Sequence, residues 1–333
     1  MTSPAKKAAA RPARVSIREF RPEDYPSYLE LLNLVEPEYP SALEEVRHED
    51  ELFDRSKYFF LRVVATRPGG DGMLGAAEIQ HNPWTFHPDR YWTWVGVRPD
   101  ARGRGIGGKL WDRILAEARK REGTALRASV REDYAESIAF AGRRGFKERE
   151  RTWESRLDLR AYDPAKFQDR TAVPPGIVIT TLAEELPRDP EAMRRLYDLN
   201  NDLSPDVPRT DPATPPTFKM FQDMVTGPGY APEACFLAKD GDRWIGMSNV
   251  FRSEGDPKIL YTGFTATRRE YRGKGIAWAM KVRAAAWAKA GGYRELRTWN
   301  STLNAPMLSI NVRLGFVKQP AWIAFGADIA KEA

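Results

Sequence analysis

Two stretches of this chain, 170 residues apart, repeat one pattern: an apolar, β-rich run enters a glycine-rich turn that opens a helix. The first is Val95 to Lys109 (VGVRPDARGRGIGGK) and the second Ala266 to Ala279 (ATRREYRGKGIAWA). Arg272, Gly275 and Ala277 follow Arg102, Gly105 and Gly107 at that single offset, and so does a second landmark, Gly315-Phe316 after Gly145-Phe146. Arg113/Arg283, Leu126/Leu296, Arg127/Arg297, Ala135/Ala305 and Arg143/Arg313 keep the same spacing, so no net insertion separates turn from landmark in either copy. A period this long marks a duplicated domain rather than a solenoid repeat. Two domains also suit 333 residues better than one core.

The turn itself constrains the ligand. Free backbone N–H groups and the positive end of a helix dipole face whatever sits on it, which asks for a phosphate-bearing molecule. Gly103-x-Gly105-x-x-Gly108 fits the dinucleotide fingerprint, and Gly103 to Lys109 fits the first seven positions of a Walker A loop. Leu110 stands where the Walker loop needs a magnesium-holding Ser or Thr, and in the second copy Trp278 and Ala279 break both patterns. Only R-x-x-G-x-[GA] survives in both.

Composition narrows the class further. Hydrophobic residues make up 42% and charged residues 29%, as in an ordinary globular protein, and no apolar run approaches the ~20 residues of a membrane span. Cys235 is the only cysteine, which allows no intramolecular disulfide and fits a reducing cytoplasm; Ala234, Phe236 and Leu237 around it read as a buried strand. His48, His81 and His87 lack metal-ligand spacing, so no metal site is expected. The net charge of +6 is spread as scattered arginines without an RNA-binding signature or zinc finger, which argues against a nucleic-acid partner.

Read in order, residues 1–14 form a basic, alanine-rich tail without an apolar signal region. The first domain, 15–160, opens with a strand at Val15–Phe20 and a helix at Pro22–Val35, followed by β-rich runs at Tyr58–Ala65, Met73–Gln80 and Tyr91–Val97. After the glycine turn come a helix with Leu110, Ile114, Leu115 and Ala118 at helical spacing, a strand at Leu126–Val130, a helix at Ala135–Arg144 and strands from Phe146 to Leu159. A polar, proline-marked linker occupies 161–176. The second domain, 177–333, repeats the order and adds a proline-rich insert from Ser204 to Pro216.

With these residues in view, each half resembles a GNAT N-acetyltransferase domain, and the pair resembles the tandem GNAT proteins, a group that includes mycothiol synthase. The resemblance implies an α/β (α+β) fold of two tandem domains, each a mixed, mostly antiparallel sheet flanked by helices, with acetyl-CoA as acyl donor between two parted strands. It places the diphosphate on Arg102, Gly103, Arg104, Gly105, Gly107 and Gly108, and on Arg272, Gly273, Lys274, Gly275, Ala277 and Trp278. Val95 and Val97, or Thr265 and Thr267, match the strand that meets the pantetheine arm and polarises the thioester carbonyl through a main-chain N–H, an oxyanion-hole device. A substrate amine then attacks directly in a ternary complex.

Two departures from the family pattern stand out. The tyrosine that commonly lies four residues before the landmark glycine, as acid for the departing thiolate, is replaced by Ala141 and Asn311. The pantetheine-side asparagine is present as Asn304 but replaced by Tyr134 in the first half. Catalysis is therefore expected in the second half, with Asn300 and Asn304 orienting donor or acceptor and Asp202 or Asp206 receiving the substrate ammonium or its proton. Asn304 also suits a helix cap, both aspartates suit turn caps, and Glu78 is either a base of the first half or a solvent-facing strand carboxylate. The expected protein acts on a small-molecule amine, as a monomer or homodimer, with no nucleic-acid or membrane partner. An acyl-CoA-binding sensor or scaffold without turnover is the alternative, and a polyanion binder the third reading.

Overall fold

The computed structural model describes residues 15–68, 72–209 and 211–330, so the basic tail of residues 1–14 lies outside the described residues. In the first repeat the chain forms β1 (Ser16–Glu19), α1 (Tyr25–Val35), α2 (Leu43–Leu52), β2 (Phe60–Thr66), β3 (Met73–Gln80), β4 (Arg90–Val97), α3 (Ile106–Lys120), β5 (Ala125–Arg131), α4 (Ala135–Gly142) and β6 (Lys147–Asp158). The second repeat supplies β7 (Ile177–Thr181), α5 (Leu182–Glu185), α6 (Ala192–Leu203), α7 (Phe218–Thr226), β8 (Phe236–Asp240), β9 (Arg243–Arg252), β10 (Ile259–Thr267), α8 (Ile276–Ala290), β11 (Glu295–Ser301), α9 (Ala305–Leu314), β12 (Val317–Lys318) and β13 (Trp322–Asp328). This is the mixed α/β architecture expected, with helices flanking mostly antiparallel strands.

Two compact units result, and neither coincides with one repeat. The first is drawn from the spans Met1–Asn82, Phe86–Ala128 and Gly326–Ala333, the second from Pro83–Thr85 and Ser129–Phe325. In the first unit β1, β2, β3 and β4 form an antiparallel meander and β5 joins β4 in parallel. Near its end the chain returns to β5, where Ile329 N–H donates to Thr124 O at 2.9 Å. In the second unit β7 through β10 repeat the meander and β11 joins β10 in parallel. The next neighbour of β11 is β6, the last strand of the first repeat, antiparallel over seven residues from Glu295↔Asp158 to Ser301↔Thr152.

Periodicity explains which faces are buried. On α3, Ile106, Leu110, Ile114 and Ala118 all lie inside, while the opposite face of the same meander is covered by α1 through Tyr28 and Leu31. In the second unit α6 and α7 bury Leu196, Leu199, Leu203 and Phe221 against one sheet face. At roughly 2 kcal/mol for each fully buried side chain of this size, such stripes are the main force holding helix to sheet. The other face carries α8, which is buried nearly all round: Ile276, Met280 and Ala284 but also Val282 and Ala285 are enclosed, as a helix without a polar stripe requires. Part of its cover is the segment expected to be a bare linker, because Pro164–Thr171 forms a 3-10 helix packed on α8, with Tyr162 and Phe167 stacked 5.5 Å apart.

Candidate functional site

The two glycine turns fold alike. Each follows the end of the meander strand, β4 or β10, through a short 3-10 turn, and the arginine of the motif is tied back to the strand it left: Arg102 Nε donates to Val97 O and Arg272 Nε to Thr267 O, both at 3.2 Å. Gly103 and Gly105 have φ of 75° and 80°, Gly273 and Gly275 of 73° and 80°, a left-handed backbone that a side chain adopts only with strain. A Cβ at any of the four would meet nothing within 4 Å, so the turns face open space rather than a core. The next residues, from Ile106 and from Ile276, begin α3 and α8. Their first-turn amides have no intrahelical acceptor and point out of the helix start, the arrangement that suits a diphosphate. Gly107, Gly108, Ala277 and Trp278 lie in those first turns; Arg104 and Lys274 sit between the glycines.

Beside each turn a parallel ladder stops early. β4 and β5 pair only at Arg90–Ala125, Tyr91–Leu126 and Trp92–Arg127, after which the Thr93 hydroxyl donates to Arg127 O at 3.0 Å. β10 and β11 pair only at Ile259–Glu295, Leu260–Leu296 and Tyr261–Arg297. Past these points Val95 and Val97, or Thr265 and Thr267, are paired on one side alone, to β3 or β9.

The repeats differ at that very place. β3 and β4 keep unbroken register from Gly75↔Val97 to Gln80↔Trp92, whereas β10 carries a bulge against β9 between Thr262 and Thr265. The extra residue explains why Leu296 pairs with Leu260 although its counterpart Leu126 pairs with Tyr91. Asn249 holds the bulge by accepting from Phe264 N–H at 2.6 Å, and Gly263 is required there because a Cβ would lie 2.5 Å from both Asn249 Oδ1 and the Phe251 ring. Ser248 and Thr265 hydroxyls share a hydrogen bond of 2.9 Å across the same strands.

Asn300 and Asn304 come to one corner, the end of β11 and the start of α9. Asn304 caps α9, its side chain accepting from Met307 N–H at 3.4 Å. Asn300 Oδ1 accepts from Asn311 Nδ2 at 2.6 Å, and Asn311 is 1% exposed with its own Oδ1 buried and unpartnered. Asp206 lies elsewhere, at the outer edge of the second glycine turn, where Arg269 Nε donates to both its oxygens at 3.1 Å and Arg272 also binds it. These arginines, Arg269 first, hold its carboxyl down at about 2. Asp202 pairs with Arg268 at 2.7 Å in the same notch.

In the first repeat Glu78 is an interior group, not a solvent-facing one. Its Oε1 accepts from Tyr28 Oη and from Arg62 Nε, both at 2.5 Å, and Arg62 also donates to Asp50 at 2.6 Å. Phe20, Tyr28 and Phe60 present their rings to the Arg62 guanidinium at 4.8, 4.2 and 5.0 Å. Burial alone would lower the Arg62 pKa; Glu78, Tyr28 and Asp50 outweigh it and keep the group charged. Tyr28 is raised well above the usual phenol range, by burial first and Glu78 second. Cys235 is fully enclosed and its thiol is pushed up to about 12 by burial, as its apolar neighbours implied.

One group escaped sequence reasoning altogether. Lys281, in the middle of α8, is 4% exposed and has no acidic partner among the described residues; the ring of Phe316 lies 5.5 Å from its Nζ. A lysine in a largely apolar, alanine-rich helix that also carries Arg283 and Lys289 is the signal that marks it. Among the described residues no three His, Cys, Asp or Glu side chains gather to hold a metal ion, and no helix is long and apolar enough to cross a membrane.

Comparison with known proteins supports the geometry. The family model described as acetyltransferase (GNAT) family matches residues 17–146 and again 193–316. Among solved structures, a tandem GNAT protein from the clavulanic acid biosynthesis pathway superposes with a TM-score of 0.77 at 20% identity, covering 96% of this chain and 100% of that one. A GCN5-related N-acetyltransferase from Sphaerobacter thermophilus gives 0.70 at 20% identity over 96% and 97%, and a putative acetyltransferase from Pyrococcus horikoshii 0.55 at 15% over 99% and 95%. A search of curated proteins found no match. At these identities the structures speak for the fold alone, but the family model matches two spans that together cover most of the chain, with both glycine turns inside them. The chain belongs to the GNAT acetyltransferase family, as a tandem member.

Proposed function

We propose that this protein is an acetyl-CoA-dependent N-acetyltransferase that acetylates a small amine by direct attack in a ternary complex, with the transfer carried out by the second repeat. The observation that carries the reading is the β10 bulge beside an intact glycine turn. A bulge turns main-chain groups out of the ladder, and a preorganised N–H aimed at the thioester oxygen is what acyl transfer to an amine needs. The turn amides from Gly273 to Trp278 would hold the diphosphate, with Thr265 and Thr267 along the pantetheine arm. Asn304 would fix the start of α9 while Asn300 and Asn311 line the adjoining corner. Asp206, bound by two arginines, has its lone pairs committed; we assign it to neutralising those arginines rather than to accepting a proton.

For the first repeat the favoured reading is binding without turnover. Its strand register is unbroken, and Arg62 already occupies, as a cation among three rings and two carboxylates, the face on which an amine would have to lie. Glu78 on this reading anchors Arg62. We take residues 15–160 and 177–333 as the two functional modules of a cytoplasmic enzyme, joined by 161–176.

Release of free thiol from acetyl-CoA over a panel of small amines tests the activity, and calorimetry of coenzyme A tests the division of labour. Two equivalents are expected to bind per chain. Gly275→Trp should remove one equivalent and the activity, whereas Gly105→Trp should remove one equivalent and leave turnover at least half intact. The opposite assignment of the two variants would sink the placement in the second repeat, and failure to bind coenzyme A would sink the whole reading.

A further inference from the structure

In transfer from a thioester to an amine, nitrogen attacks the carbonyl carbon, a C–N bond forms and the C–S bond breaks, and the amine proton passes to the released sulfur or to water. Negative charge collects on the carbonyl oxygen on the way, so a donor that meets that oxygen has to be held in place before the substrate arrives. In the second repeat the strand beside the parted ladder is irregular, and an irregular segment keeps its aim only where its neighbours fix it.

We propose that Asn249 is the positioning residue that aims the thioester-polarising N–H of β10, an assignment that rests on the reading that the second repeat performs the transfer. The bulge sets Gly263 and Phe264 against the single residue Asn249 of β9, between the pairs Thr262↔Val250 and Thr265↔Ser248. Asn249 is 4% exposed, and its side-chain oxygen accepts from Phe264 N–H at 2.6 Å. Ser248, the residue before it, is fully buried and shares a hydrogen bond of 2.9 Å with the Thr265 hydroxyl. Successive side chains of a strand leave opposite faces of the sheet, so β9 clamps two successive residues of β10 from both faces. With the Phe264 N–H held toward β9, alternation along the strand turns the Thr265 N–H to the opposite edge, from which β11 has parted after Tyr261↔Arg297.

The first repeat has neither clamp. Gly246 pairs with Thr267 as Gly75 pairs with Val97, so Ser248 and Asn249 stand where β3 has Ala77 and Glu78. Ala77 offers no hydroxyl to Val95, Glu78 is bound by Arg62 and Tyr28, and the ladder between β3 and β4 runs unbroken. A buried strand position ordinarily favours a β-branched or aromatic residue, and an amide is costly there unless it is bonded. Asn249 is therefore the place where the second repeat gives up regular pairing for an aimed main chain, as bulges beside active sites do.

The test uses Asn249→Leu, which removes the acceptor at similar volume, and Asn249→Ser. The shorter serine admits a bridging water, so it keeps Phe264 N–H satisfied and serves where the leucine variant fails to fold. Both are made in the Gly105→Trp chain, which leaves the coenzyme A site of the second turn. Isotope-edited infrared spectra of bound acetyl-CoA are expected to show the thioester carbonyl stretch below its position in free acetyl-CoA when Asn249 is present, and most of the way back to that position in either variant. The turnover number should fall about a hundredfold, with an equal fall in kcat/KM and acetyl-CoA affinity within about twofold. A role confined to stability would lower the melting temperature and leave the carbonyl band where it was. That result, one band position in parent and variants alike, overturns the assignment of Asn249 while the proposed transfer stands. Absence of acetyl-CoA binding by the parent overturns both.

Discussion

Lys281 and Arg62 are both interior cations, yet physical chemistry treats them in opposite ways. Arg62 is met by two carboxylates and three rings, a satisfied network whose desolvation is offset by close charges. Lys281 is met by one ring, and its lowered pKa is a stability statement. Between about 8 and the ordinary 10.5 the unfolded chain binds the lysine proton more readily than the folded one. Stability therefore rises with pH across that window, and the penalty of roughly 3 kcal/mol is complete below it. Chemical denaturation at pH 7.5 and pH 10.5 should show K281M more stable than wild type at the lower pH, with the gap closing at the higher; a constant gap would mean that the ammonium is already solvated. At this scale the motif residues were legible because backbone demands fix them: positive φ calls for Gly103, Gly105, Gly273 and Gly275. Glu78 and Lys281 were not, because what a charged side chain does depends on partners far away in sequence, such as Tyr28 and Phe316.

Among elements, the contrast between α3 and α8 is informative. α3 shows a clean apolar stripe, but α8 is apolar on nearly every side because the Pro164–Thr171 segment closes over its outer face. That cover was unreadable in advance, since prolines and charges dominate its composition while Phe167 alone anchors it. Three helices were given no range from the sequence. In α2 (LEEVRHEDEL) only Val46 is buried, so no stripe exists to detect. α5 is a single turn of four residues. α7 carries Phe218, Phe221 and Val225 at helical spacing and a Thr217 cap, directly after the proline-rich insert read as lying between helical segments. That insert supplies Asp206, which holds Arg269 and Arg272 at the turn. Asp206→Ala should leave both guanidinium groups to an incoming diphosphate and strengthen coenzyme A binding by about two- to fivefold at low salt, an advantage that fades as salt screens it. Weaker binding with unchanged turnover would show instead that the carboxylate preorganises the turn. A loss of turnover at unchanged affinity would return Asp206 to the chemistry.

For the whole molecule, the duplication was plain from one constant offset, and with it the order of strands and helices in both halves. The pairing of the repeats was not, because the hydrophobic pattern of β6 says that it is a strand but not which neighbour it takes. In the structure its neighbour is β11, through seven paired residues. A chain cut within the 161–176 segment is accordingly expected to give fragments that are insoluble when made singly, each with an unpaired strand edge, and soluble when made together and purified as a complex. Two fragments that each remain folded and monomeric would contradict the shared sheet.

The place of β6 also bears on how such a protein can change over generations. Once a copied module has lent its closing strand to its sibling, neither copy is free to be discarded, transplanted or re-spliced, whatever becomes of its chemistry. A module that no longer turns over substrate remains indispensable as scaffolding, and its ligand-facing turn is left at liberty to acquire a different guest.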